Sequence, residues 1–80
     1  MPTIHREAGF VFRFFSDDHM PPHVHILGGN GAMKVLLGGE GSPPKIVVIV
    51  GMKKSDASKA LRIVEANQDM FLQKWKEWHE

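Results

Sequence analysis

Apolar residues alternate along the first half of the chain and recur at helical spacing along its last third. In FVFRFF, Phe10, Phe12 and Phe14 share one face of an extended segment, and Val11, Arg13 and Phe15 share the other. Ile4 and its neighbours suit a short preceding strand. SDDH is turn chemistry, because Ser and Asp side chains bond their own backbone. The prolines of HMPP each fix φ and push the preceding residue towards extended geometry, which makes a stiff lead-in. HVHIL alternates again, with Val24 and Ile26 on one side and His23, His25 and Leu27 on the other. GGNG predicts a tight hairpin, since Gly and Asn accept positive φ. AMKVLL then sets Met33, Val35 and Leu37 against Ala32, Lys34 and Leu36. After the loop GGEGSPP, KIVVIV does not alternate beyond Lys45, and a continuous β-branched run predicts a strand covered on both faces.

The last third reads as a helix. Ser55 is a suitable N-cap, and Asp56 suits the positive end of the helix dipole. Ala57, Leu61, Val64, Phe71, Trp75 and Trp78 recur at steps of three, four or seven, with Gln68 interrupting. A helix from Asp56 almost to the C-terminus would run for roughly 36 Å. A compact domain of this length is only about 30 Å across. The helix therefore breaks near Asn67–Gln68, or its end projects and Phe71, Trp75 and Trp78 need a partner. The pattern predicts a single small α+β domain over residues 1–80. Its antiparallel sheet has about four strands, followed by one long C-terminal amphipathic helix packed on one sheet face. That helix cannot cover the second face, where Val11, Phe15, Leu36 and one side of KIVVIV lie, so a homodimer or another protein partner is expected there.

Composition narrows the class. Ten basic and nine acidic residues leave a net charge of +1, so any nucleic-acid contact must come from a local patch. There is no cysteine, hence no disulfide framework and no thiolate metal site. No apolar run is long enough for a membrane span, and MPTIHREAGF lacks the form of a signal peptide. A cytoplasmic protein is the expectation.

The candidate chemistry sits in DHMPPHVHIL, which holds three of the five histidines. Two residues apart on a strand, His23 and His25 point to the same side, roughly 6–7 Å apart by strand rise. Arg13 and Lys34 share that face if their strands neighbour this one, and His19 can reach the strand's beginning. His5 and Glu7 fall on the same sheet in an unspecified register. Three readings fit. One is a site for zinc or another divalent metal, with Asp18, His19, His23 and His25 as ligands, and Asp17 within reach. Another is metal-independent RNA cleavage by the neighbouring 2′-hydroxyl. There His23 and His25 form an acid–base pair, His19 assists, and Arg13 and Lys34 contact phosphate. The last is a non-enzymatic strand surface whose histidines lie at a protein interface. The glycine-rich loops lack a phosphate-loop ending and read as turns. Lys53, Lys54, Lys59 and Arg62 read as a solvated face, and Trp75 and Trp78 as core or interface anchors.

The opening MPTI, the Phe-rich strand with its arginine, DHMPPHVHI, the Gly-rich hairpin and a helix ending in WKEW together resemble a small bacterial family of unknown function. The resemblance covers essentially the whole chain. Its most specific element is His-x-Pro-Pro-His-Val-His, here His19, Pro21, Pro22, His23, Val24 and His25. Met20 stands where look-alikes often carry proline. Some members are labelled DhiT-type toxins of type II toxin–antitoxin pairs. The resemblance thus implies a growth-inhibiting toxin neutralised by a cognate antitoxin. Many such toxins are ribonucleases, so it also implies RNA as a target. On this view the uncovered apolar face and the aromatic helix end serve as an antitoxin or dimer surface.

Overall fold

The alternating segments form a five-stranded antiparallel sheet in the computed structural model, which describes residues 3–15, 19–39 and 41–79. The strands are β1 (Thr3–Glu7), β2 (Phe10–Arg13), β3 (His23–Gly28), β4 (Gly31–Leu36) and β5 (Lys45–Val50). They lie side by side in chain order, and one helix, α1 (Lys54–His79), follows them. The α+β architecture is the expected one, with five strands where about four were expected. The additional strand is the segment around Ile4, which pairs with β2 through a two-residue turn at Ala8 and Gly9. Both turn residues have positive φ, 54° and 84°. Gly29 and Asn30 join β3 to β4 with φ values of 56° and 65°, the turn that GGNG predicts. FVFRFF pairs as a strand only to Arg13.

The core lies between the sheet and α1. Phe10, Phe12, Phe14, Val24, Ile26, Met33, Val35 and Leu37 are buried on the sheet side, as their alternation predicts. Ala57, Ala60, Ile63, Val64, Phe71 and Trp75 are buried on the helix side. Phe12 lies 5.5 Å from Phe71 between ring centroids, and Phe14 meets Trp75 edge-on at 5.1 Å. Each such ring contributes about 1.5–3 kcal/mol through burial.

Three expectations about the second half need correction. First, α1 neither breaks at Asn67–Gln68 nor leaves its aromatic end unsupported. It is continuous for 26 residues, and Phe71 and Trp75 are buried within the chain. Only Trp78 of the three aromatics is exposed. The polar interruption has a local cause. Gly38 N–H donates to Gln68 Oε1 and Gln68 Nε2 donates to Ser42 C=O, both at 2.9 Å, so the residue clamps the β4–β5 loop. Gly38 permits this approach, since a Cβ there would fall 2.1 Å from Ser42 O. Second, Ser55 is not the N-cap. The helix begins at Lys54, and Ala57 N–H donates to Lys53 C=O at 2.9 Å, which puts Ser55 inside the first turn. Asp56 does lie in that turn. Third, KIVVIV is not covered on both faces. β5 is an edge strand, with Val47, Val48, Ile49 and Val50 exposed at 51%, 46%, 39% and 64%. Its pairing with β4 skips Val47, a bulge of the kind found at sheet edges.

Candidate functional site

On the face turned away from α1, the register sets Arg13 opposite His25 and His25 opposite Lys34. Directly paired residues share a sheet face with Cβ atoms about 4.5–5.5 Å apart. Arg13, His25 and Lys34 therefore form one row across β2, β3 and β4. Phe15 follows Arg13 by two residues and stacks on His25, with centroids 3.8 Å apart and planes 11° from parallel. Arg13 Nε is buried, with no hydrogen-bond acceptor among the described residues.

His23 departs from the simplest expectation. It is the first residue of β3, and at 6% exposure it is a buried polar residue of the core's rim. Its ring lies 5.2 Å from that of His25 and equally 5.2 Å from that of Trp75, so it spans the end of the sheet. Its Nδ1 lies 2.9 Å from Pro21 C=O. A carbonyl only accepts, so Nδ1 carries the proton and Nε2 is the basic nitrogen of the neutral ring.

The proline lead-in is docked from both sides. Leu37 N–H donates to Pro22 C=O at 2.9 Å, which carries pairing beyond the end of β4. Trp75 Nε1 donates to the Met20 sulfur at 3.4 Å, which ties the same lead-in to α1. The Met20–Pro21 bond is cis. His19 is exposed beside it.

Two clefts open on this face. The first, of about 440 Å³, is lined by His19, Met20, Pro21, His23, Lys34, Leu36 and Val47. The second, of about 250 Å³, is lined chiefly by Phe15, His25, Leu27, Lys34, Val48 and Val50. Lys34 borders both, and no described acidic side chain lines either. Arg13, His19, His23, His25 and Lys34 thus gather at one end of one face, while His5 does not. Its partner across β1 and β2 is Phe12, and its ring packs by Phe12 and Phe71 on the helix side. There its Nε2 lies 2.8 Å from Glu7 Oε1.

The metal-ligand set is not assembled among the described residues. No three His, Asp or Glu side chains come together there as a metal site, and Asp17 and Asp18 lie outside the described residues. The sequence reading also missed the contributions of Phe15, Leu36 and Val47 to the site. Alternation places Phe15 and Leu36 on the correct face, but only the strand order brings Val47 to the cleft.

No helix among the described residues is long and apolar enough to cross a membrane. No curated protein and no solved structure matches the chain. Residues 9–76, which include every candidate residue above, match the model of a domain of unknown function, DUF4160, and the chain belongs to that family.

Proposed function

We propose that this protein is an RNA-directed toxin of a type II toxin–antitoxin pair, which cleaves its target with strand-borne histidines. The observation that carries this reading is the Arg13–His25–Lys34 row beside His23. His23 Nε2 accepts the proton of a ribose 2′-hydroxyl as its oxygen attacks the adjacent phosphorus. The bond from phosphorus to the 5′-oxygen breaks, and protonated His25 gives its proton to that leaving oxygen. The products are a 2′,3′-cyclic phosphate and a free 5′-hydroxyl. Lys34 and the guanidinium of Arg13 offset the charge that builds on the phosphoryl oxygens. His19, at the mouth of the larger cleft, assists by contacting the strand.

Ribonuclease assay of the purified protein tests this. Single-stranded RNA should be cut to products with cyclic phosphate ends, and the same sequence with 2′-O-methyl riboses should stay intact. Equal cutting of both would refute attack by the 2′-hydroxyl. Persistence of cutting in a chelator separates the histidine reading from one that uses a divalent metal.

A specific observation also favours a protein partner. Among the described residues β5 ends the sheet, and it carries four consecutive exposed apolar residues. A cognate antitoxin that adds a strand there would use backbone pairing for affinity and the β-branched side chains for contact area. Val47 borders the larger cleft and Val48 and Val50 the smaller, so the same partner would obstruct both.

A further inference from the structure

The two clefts differ in chemistry and share a residue. The larger contains two imidazoles, His19 and His23, with the Lys34 ammonium, and no described carboxylate. That set suits an anion. The smaller is walled by the stacked Phe15–His25 pair, Leu27, Val48 and Val50, so apart from His25 and Lys34 it is apolar. At about 250 Å³ it falls below the roughly 300–1,000 Å³ of pockets for drug-sized ligands, which suits a single flat ring system. Base stacking on aromatic side chains is a common means of holding single-stranded nucleic acid, and it tolerates sequence.

We infer that the face holds one nucleotide of a single RNA strand across both clefts, with its phosphate in the His19–His23–Lys34 cleft and its base in the Phe15–Leu27–Val50 cleft. This rests on the reading of the protein as RNA-directed and adds where each part of the substrate lies. Lys34 stands at the junction because it borders both clefts. Its ammonium meets the phosphate, and its aliphatic stem borders the sugar. The base rests against a stack that is already assembled. A duplex presents its bases paired and stacked, so this geometry selects unpaired RNA.

The test is titration of the intact protein, followed by amide NMR, with inorganic phosphate, adenosine, adenosine 3′-monophosphate and a single-stranded tetranucleotide. Phosphate should move the amides of His19, Met20, His23 and Leu36, and adenosine those of Leu27, Val48 and Val50. The monophosphate should move both sets and bind about tenfold more tightly than either part. The tetranucleotide should bind more tightly again. Ala32→Leu narrows the smaller cleft, which Ala32 also lines, and should weaken adenosine while leaving phosphate binding unchanged. His19→Ala removes an imidazole that lines the larger cleft and not the smaller, and should do the reverse. Amide spectra of both variants establish that the fold persists.

Phosphate and adenosine moving the same amides, or a monophosphate that binds no better than phosphate, would overturn the inference. So would a smaller cleft that a second copy of the chain covers in solution, seen as a dimer by sedimentation and silent to adenosine. A tetranucleotide that binds no better than the monophosphate would overturn the assignment to an RNA strand in favour of a free nucleotide. Two-part binding without RNA cleavage would refute the catalytic reading alone, and cleavage without two-part binding would refute only this inference.

Discussion

His23 combines burial with a fixed proton position, because its Nδ1 faces the Pro21 carbonyl and its ring lies against Trp75 and His25. Such a hydrogen bond orients an imidazole and fixes which nitrogen carries the proton. Arg13 shows a different tension. A buried donor without an acceptor costs about 1–3 kcal/mol, and Arg13 Nε is one among the described residues. Arg13→Met keeps the apolar stem and removes that donor. We predict that thermal unfolding of this variant matches or exceeds the wild type while RNA cleavage falls at least tenfold, and a large loss of stability would show that the guanidinium is structural. Ala8 stores backbone strain at φ 54°, where residues with a Cβ lose about 1–2 kcal/mol. Asn accepts this turn conformation, so Ala8→Asn should stabilise the protein by up to about 1 kcal/mol in chemical denaturation. At this scale the sequence was informative about direction. Provided that their strands are neighbours, a condition the pairing meets, alternation puts Arg13, His25 and Lys34 on one face. It could not reveal that His23, at the strand's first position, turns under the end of a helix more than fifty positions away.

The elements are joined by non-local contacts at both ends of the histidine lead-in. Gln68 holds Gly38 and Ser42, Leu37 next to Gly38 pairs with Pro22, and Pro22 precedes His23. The middle of α1 is thereby connected to the start of β3. Replacing Gln68 with Ala removes both partners of the loop, and we expect a loss of about 1–3 kcal/mol with faster exchange of the Gly38 amide. Gln68→Glu keeps the size but loses the donor to Ser42, so it should recover little of that stability. Unchanged exchange at Gly38 in the alanine variant would contradict the clamp. This contact explains why a polar residue in the apolar stripe of a continuous helix mimics a break. Helical periodicity registers the interruption, and only the loop across from it gives the reason. The exposed β5 has a similar explanation. A β-branched run suits a pleated strand at any place in a sheet, so KIVVIV identified the strand correctly but carried no information about strand order. The bulge at Val47 and the edge position follow from pairing, which a local pattern does not encode.

Viewed whole, the molecule has one finished face and one open face. α1 and the aromatic core close the first. The second carries the Arg13–His25–Lys34 row and both clefts, and it ends at the exposed β5 edge. On the proposed reading, a strand added to β5 would abut the residues that border the clefts and so couple activity to inhibition. Val47→Lys places a charge on that edge, a common means of blocking strand addition. It should weaken the complex with the proposed antitoxin at least tenfold in a binding titration, while thermal stability shifts by no more than about 0.5 kcal/mol. An unaltered complex would put the antitoxin elsewhere. The division into two faces was legible from alternating residues, as was the gathering of basic side chains on the open one. The clefts were not, since they depend on the distance between strands and on the docking of a proline lead-in. The most direct test of the central claim is RNA integrity in growing cells that express the wild-type chain or the His23→Ala, His25→Ala double variant at equal, folded levels. The account predicts degraded RNA and arrested growth with the wild type and intact RNA with normal growth with the variant; equal RNA degradation by both would contradict it.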